Sequence, residues 1–197
     1  MTTAVLVDGL MCVGKTTLLN RLTAAFGRRA QRVEEVVIVP TEGETSRRFF
    51  QRNDRAKLEA IRQSDSSIVL VDRSFASTFA YSLSFAETEY TIDRLYRETP
   101  LRDLDYTFVY LRENPELSFG RAKAEGRSLD GQWGNLQALA RMSAAYDNLY
   151  ANFTARFPRC RIVITEASTY WADRATLEAE IMRLELLDID PQWGGSI

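Results

Sequence analysis

The sequence contains no histidine, and this absence removes several kinds of catalytic chemistry. Ser-His-Asp and Cys-His catalysis, zinc sites with histidine ligands and phosphohistidine intermediates all depend on that residue. A general base in this protein must therefore be a carboxylate, a lysine, a tyrosine or the substrate itself.

The sequence also has few cysteines, a small net charge and no long apolar run. The 197 residues include 2 cysteines, and a chain of this length buries a core without a disulfide framework. The net charge of -2 lacks the basic surplus of a protein that binds nucleic acid non-specifically. No apolar run reaches membrane-spanning length, and the first residues lack the positive charge of a signal peptide. We therefore expect a cytoplasmic protein without a membrane partner.

Short apolar runs alternate with longer helical segments along the chain. This alternation predicts an α/β fold: a five-stranded parallel sheet with helices on both faces and the first strand near its centre. Residues 1–197 then form one domain, with ligands at the carboxyl ends of the strands. The predicted strands are 4–8, 36–39, 68–71, 106–111 and 161–164, and the predicted helices are 15–30, 45–64, 75–98, 115–125, 135–157 and 169–187.

The strongest motif is a phosphate-binding loop between the first strand and the first helix. Residues 9–16, Gly-Leu-Met-Cys-Val-Gly-Lys-Thr, match the pattern G-x-x-x-x-G-K-[ST]. In such a loop the backbone N–H groups face the β- and γ-phosphates, Lys15 bridges their oxygens, and the Thr16 hydroxyl binds Mg²⁺. The predicted nucleotide-binding residues are Gly9, Met11, Cys12, Val13, Gly14, Lys15, Thr16 and Thr17.

Two further features favour phosphoryl transfer to an organic acceptor over a switch or a motor. The sequence has no Asn-Lys pair for reading guanine, and Asp72 is followed by Arg73 where a motor ATPase has Glu. Asp72 can hold Mg²⁺ with Thr16, and an arginine suits a phosphate better than a water. Arg121 and Arg127 begin a predicted lid over residues 121–134 and would stabilise the transferred charge; the alternative is a solvated basic helix end.

Residues 72–81, Asp-Arg-Ser-Phe-Ala-Ser-Thr-Phe-Ala-Tyr, resemble the D-R-x-x-x-S-x-x-A-Y segment of thymidylate kinases. Residues 109–127 resemble the strand and lid entry that thymidylate and deoxynucleoside kinases share. The resemblance implies a three-layer P-loop kinase fold with a lid. It also implies an ATP- and Mg²⁺-dependent kinase for a nucleoside or nucleoside monophosphate, with a thymidylate-like acceptor favoured. It places Arg73 on the transferred or acceptor phosphate, the lid arginines on the donor, and Glu42 as general base.

The sequence also departs from that family around the acceptor. Glu42 lies between Thr41 and Gly43, without the arginine usual there, and the segment 42–72 is short. A non-nucleotide metabolite, an antibiotic or a modified base in a polynucleotide thus stays open as acceptor, as do a non-catalytic nucleotide-binding module and a homodimer. Four arginines of one helix fit either an acceptor-phosphate patch or an exposed basic face: Arg47, Arg48, Arg52 and Arg55. The predicted catalytic residues are Lys15, Glu42, Asp72, Arg73, Arg121 and Arg127, with Thr16 and Asp72 as metal ligands.

Overall fold

The structure, a computed structural model, describes residues 2–84, 105–127, 135–157 and 160–187. Five strands alternate with helices along these residues. The strands are β1 (Thr3–Gly9), β2 (Ala30–Val33), β3 (Ile68–Asp72), β4 (Asp105–Arg112) and β5 (Arg161–Glu166). The α-helices are α1 (Lys15–Phe26), α2 (Ser46–Arg62), α3 (Phe75–Ser84), α4 (Pro115–Ala124), α5 (Leu136–Arg156), α6 (Ala167–Ala172) and α7 (Arg174–Leu187).

The strands form one parallel sheet in the order β2-β3-β1-β4-β5. Strand β1 is central, with Val5 opposite Leu70 of β3 and Thr107 of β4, and every residue of β1 and β3 is buried. The connection that follows β1 runs towards the β2 edge of the sheet, and the later connections run in the opposite direction, towards β5. Because such crossovers are nearly always right-handed, α1 lies on one face and α2, α3 and α5 on the opposite face. The predicted α/β architecture with a central first strand is confirmed.

The prediction of a second strand at residues 36–39 is wrong. Gly27 adopts a φ of 57° and ends α1 at Phe26, four residues before the predicted end of that helix. The chain therefore joins the sheet earlier, at Ala30, which pairs with Ile68. Residues 36–39 follow the strand, and Val39 is 82% exposed.

The remaining element bounds agree closely with the predictions, except at the carboxyl-terminal helix. The backbone at Asp173 leaves the helical region, so that two helices, α6 and α7, replace the one predicted over 169–187. Asp173 then accepts hydrogen bonds from the backbone and hydroxyl of Thr176 and caps α7. The predicted helix 75–98 is described as far as Ser84, and residues 128–134 of the predicted lid lie outside the described part of the chain.

Tyrosines of β4 and α5 connect the sheet to the region beyond its carboxyl edge. Tyr110 stacks on Tyr146 and Tyr150, with ring centroids 5.2 and 4.9 Å away. The Tyr150 hydroxyl donates to the buried carboxylate of Asp8, and the Tyr146 hydroxyl lies 2.6 Å from the Ser77 hydroxyl. The long helix α5 is thereby fixed to the end of β1. Among the described residues, the structure contains no helix with the length and apolar character needed to span a membrane.

Candidate active site

The phosphate-binding loop connects β1 to α1 and depends on its glycines. Gly9 and Gly14 have φ angles of 145° and 101°, which residues with a Cβ rarely adopt. A Cβ at Gly9 would also lie 2.6 Å from the carbonyl oxygen of Leu111. No side chain caps α1 at Gly14, so the first N–H groups of the helix remain available to an anion.

Lys15 lies buried at the start of α1, and its Nζ donates a 2.5 Å hydrogen bond to the carbonyl of Leu10. Burial, followed by the charge of Arg73, lowers the pKa of Lys15 to about 7, although Asp72 acts in the opposite direction. A phosphate in the loop would supply the negative charge that keeps this ammonium group protonated.

A cavity of about 150 Å³ opens above the loop and is here called the donor cavity. It brings together most of the residues predicted to bind the nucleotide and its metal. Its described lining comprises Met11, Cys12, Gly14, Lys15, Thr16, Thr17, Glu35, Asp72, Arg73, Glu125, Arg127 and Trp171. Two predicted members differ: Val13 is buried in the hydrophobic core, and Gly9 offers its carbonyl oxygen to Arg73.

Asp72 and Thr16, the predicted metal ligands, both line the donor cavity. The Oδ1 atom of Asp72 is buried and has no hydrogen-bond partner among the described residues. Burial raises the pKa of this carboxyl, while Lys15 and Arg73 oppose that rise. Within the described ranges no cluster of three or more acidic or cysteine side chains could hold a metal. A carboxylate and a hydroxyl that line one cavity suit Mg²⁺, which is usually shared with substrate phosphates and waters.

Arg73 occupies a tight turn between β3 and α3, with a φ of 58°. Its Nε lies 2.8 Å from Oε1 of Glu35, and its Nη1 donates to the Gly9 carbonyl at 3.0 Å. Lys57 of α2 stabilises the turn, because its Nζ donates to the carbonyl oxygens of Asp72 and Arg73 at 2.7 and 2.9 Å. These contacts determine where the guanidinium group points.

Asp8 holds the residue after this turn. Its carboxylate accepts hydrogen bonds from the backbone N–H and hydroxyl of Ser74, at 2.9 and 2.6 Å, and from the hydroxyls of Ser77 and Tyr150. These hydrogen bonds join the end of β1 to the start of α3 through one buried carboxylate. All of their donors are neutral groups.

Glu35 is the site residue that sequence reasoning missed. The predicted second strand at 36–39 places Glu42 shortly beyond its carboxyl end. In the structure Glu42 lies exposed on a turn and lines neither the donor cavity nor the second cavity described below. Glu35 instead lies two residues beyond β2, and Asn53 of α2 anchors its backbone: the amide donates to the Glu35 carbonyl at 2.8 Å and accepts from the N–H of Val37. A helix that ends at Gly27 places the second strand earlier in the chain, with Glu35 just beyond its carboxyl end.

A second cavity lies beside the donor cavity and shares Glu35 and Arg73 with it; it is called the acceptor cavity. It is lined by Glu35, Phe50, Asn53, Asp54, Lys57, Arg73, Ser74, Ser77, Thr78, Tyr81 and Met142. The arginines of α2 whose side chains are described do not line it: Arg48 and Arg55 are exposed, and Arg52 forms an ion pair with Glu44. The basic face of α2 is therefore separate from this cavity.

The two arginines at the start of the predicted lid have different surroundings. Arg121 lies 2.5 Å from the buried carboxylate of Glu113 and donates to the Cys12 carbonyl, so it supports the loop backbone. Arg127 lines the donor cavity, where it pairs with Glu125 at 2.9 Å. The Cys12 thiol also donates to Glu125, and burial together with this bond raises the pKa of Cys12, which keeps the thiol protonated.

A phosphate loop after the central strand of a β2-β3-β1-β4-β5 sheet, facing an Asp-Arg turn, defines the P-loop kinase fold. The chain is similar to deoxyadenosine kinase from M. mycoides with bound dATP, at a TM-score of 0.61 and 14% identity over 93% of this chain and 98% of that one. The same enzyme with bound dCTP gives a TM-score of 0.56 and 15% identity, over 94% and 100% of the two chains.

The YorR protein from Bacillus subtilis, in complex with phosphorylated GDP, gives a TM-score of 0.62 and 13% identity, over 93% of this chain and 96% of that one. At such identities the likeness concerns the fold, and it confirms the fold that the sequence resemblance implied. No protein-family model and no curated protein matches the sequence.

Proposed function

We propose that this protein transfers the γ-phosphoryl group of ATP to the primary hydroxyl of a nucleoside, with Mg²⁺. The observation that carries the proposal is the shared wall of the two cavities: Glu35 and Arg73 line both of them. A carboxylate and a guanidinium group therefore lie between a phosphate-binding loop and a second cavity lined by polar and aromatic side chains.

On the donor side, Lys15 and the loop N–H groups bind the β- and γ-phosphates, and Arg127 faces the same cavity. Thr16 and Asp72 would hold Mg²⁺, which when bound offsets the charge of the phosphate oxygens. Trp171 lies against the loop, since a Cβ at Gly14 would be 2.9 Å from its ring. In the described part of the chain its buried Nε1 has no hydrogen-bond partner, so this indole is our candidate contact for the donor base.

On the acceptor side, Glu35 accepts the proton of the attacking hydroxyl. The bond from the γ-phosphorus to the β,γ-bridging oxygen breaks, a bond to the nucleoside oxygen forms, and ADP leaves. Arg73 neutralises the phosphoryl oxygens during this step. Because the transition state is loose, charge and positioning contribute most, and one carboxylate suffices as base.

The lining of the acceptor cavity favours a neutral nucleoside over a monophosphate. Its two cationic side chains are already bonded, Lys57 to two carbonyls and Arg73 to Glu35 and Gly9. The Glu35 carboxylate would also repel a phosphate dianion. The thymidylate-like acceptor favoured by the sequence is consequently the competing substrate in the test.

The test is ADP release from ATP and Mg²⁺ with a panel of nucleosides and monophosphates, thymidine and thymidylate included. We expect acceptor-dependent release that Lys15→Ala abolishes. Glu35→Gln should lower kcat about 10²- to 10⁴-fold. The matched variant Glu42→Gln should keep full activity, because that side chain, unlike the likewise exposed Glu35, lines neither cavity.

Three results would overturn the proposal. Release of ADP that needs no nucleoside-type acceptor excludes a nucleoside kinase, and mass spectrometry of the product would identify another acceptor. ATP binding without turnover, unaffected by Arg73→Ala or Arg127→Ala, indicates a non-catalytic binding module. Loss of activity in Glu42→Gln but not in Glu35→Gln returns the base to Glu42.

A further inference from the structure

The acceptor cavity lies between α2 and α3, which run antiparallel and touch at three successive levels. Each level pairs one side chain of α2 with the α3 side of the cavity. The pairs are Lys57 with the Arg73 carbonyl at 2.9 Å, Asp54 hydrogen-bonded to Thr78, and Phe50 with Tyr81 at a ring separation of 5.3 Å. All six residues line the cavity. Along the cavity, the side chains at the first level are thus charged, those at the second level include one carboxyl group, and those at the third level are aromatic.

Helical geometry gives the spacing of these levels. Phe50, Asp54 and Lys57 are four and three residues apart on α2, so neighbouring levels are separated by about one turn, roughly 5 Å. The reacting hydroxyl belongs at the charged level, beside Glu35 and Arg73. Along the axis of α2, Asp54 then lies about one turn from the level of the reaction, and Phe50 lies about two turns from it.

A nucleoside has the same order of groups over the same distances. Its 3′-oxygen is four bonds of about 1.5 Å from the 5′-oxygen, so the two oxygens lie at most about 5 Å apart. The base begins one bond further along the chain of atoms and extends away from the 5′ end. The sugar hydroxyl therefore reaches the middle level, and the base reaches the ring level.

We propose that Asp54 binds the 3′-hydroxyl of the nucleoside acceptor and determines the choice of sugar, with Thr78 orienting its carboxyl group. The assignment rests on the proposed function. A carboxylate accepts a hydrogen bond from a sugar hydroxyl as acidic residues do in dinucleotide sites. Phe50 and Tyr81 then contact the base.

A purely structural role explains Asp54 poorly. Desolvation raises the pKa of Asp54 to about 7, even though the Thr78 hydrogen bond and the charge of Lys57 lower it and Asp8 raises it further. The carboxyl therefore costs stability near neutral pH, and an amide would join α2 to α3 without that cost. A side chain that destabilises the fold while facing a cavity suits a ligand.

The experiment compares a 2′-deoxynucleoside with the 2′,3′-dideoxynucleoside of the same base as acceptors. For the wild type, kcat/KM should be about 10- to 100-fold higher with the deoxynucleoside, the range for one hydrogen bond to a charged group. Asp54→Asn should lose most of this preference, by a higher KM for the deoxynucleoside and an unchanged value for the dideoxy analogue. Asp65→Asn, the same exchange at an exposed site, should behave as the wild type.

Thr78→Val keeps the side-chain shape and should reduce the preference in the same direction, so it carries the test even if Asp54→Asn fails to fold. An equal loss on both analogues overturns the assignment, because a sugar contact acts only where the hydroxyl is present. A loss that depends on the base and not on the sugar overturns it too. If the wild type phosphorylates nucleosides, these two outcomes overturn only the assignment of Asp54 and leave the proposed function standing. If the wild type does not phosphorylate nucleosides, the assignment and the proposed function are both overturned.

Discussion

Replacing Lys57 by methionine should separate the stability of the Asp-Arg turn from nucleotide binding. The Lys57 ammonium group lies buried under the turn and satisfies the carbonyls of Asp72 and Arg73. Its bonds stabilise the positive φ of Arg73, a conformation that costs of order 1–3 kcal/mol in a residue with a Cβ. Methionine fills a similar volume but donates no hydrogen bond.

The magnitude follows from the two carbonyls that Lys57→Met leaves unpaired. Each costs about 1–3 kcal/mol when buried. Part of this cost is offset, because desolvation, which lowers the pKa of Lys57, no longer penalises a buried charge. We therefore expect the free energy of unfolding to fall by about 2–4 kcal/mol. Because Arg73 then leaves its position between the cavities, kcat should fall at least about 10-fold while the Kd for ATP changes little.

Urea denaturation measures the first quantity, and kcat with calorimetric ATP binding measures the others. Lys123→Met is the matched control, since this exposed side chain lies over the Phe119 ring, away from the turn. A folded Lys57→Met variant with wild-type kcat would refute the reasoning, because Arg73 would then hold its position without the ammonium group.

Two other changes test the loop and the acceptor cavity. Gly14→Ala should weaken ATP binding at least about 10-fold, measured by calorimetry, because φ is 101° there and the new Cβ would meet Trp171 at 2.9 Å; unchanged affinity would contradict the loop geometry. Asp54→Asn should raise Tm, and more at pH 8 than at pH 5. The folded pKa of about 7 exceeds the ordinary value of 3.8, so the wild type loses stability as pH rises between them. A gain in Tm equal at both pH values, with Asp65→Asn unchanged, would contradict this sign.

The parts of the site that depend on local sequence could be predicted, and the parts that depend on strand bounds could not. The loop at 9–16 is encoded by two glycines, a lysine and a threonine at fixed spacing, and Asp72 ends a run of buried apolar residues. Glu35 was missed because Val36, Val37 and Val39 have the β propensity of a strand. Yet within the described ranges β2 lies at the edge of the sheet and pairs only with β3, and its position follows from the early end of α1.

Contacts between residues far apart in the sequence explain why other parts of the site could not be predicted. Arg121 and Arg127 look alike in the sequence, but Glu113, at the end of β4, pairs with the first and leaves the second to the donor cavity. The polar wall of the acceptor cavity could not be predicted, because Asp54 and Lys57 become part of it only through the antiparallel contact of α2 with α3. Spacing along one helix shows a shared face but not what that face contacts.

The ion pair between Glu35 and Arg73 at the shared wall has a thermodynamic consequence for the order of events. A phosphate that attracts Arg73 must take it from Glu35, and an acceptor that needs the carboxylate free must likewise separate the pair. Whichever ligand arrives first bears that cost, and the second then binds more tightly. Under the proposed function this coupling is reciprocal: ATP would raise the affinity for the nucleoside by the same factor as the nucleoside would raise that for ATP. If Glu35 is the base, its pairing with Arg73 until the donor is present would also limit the activation of water in place of the acceptor.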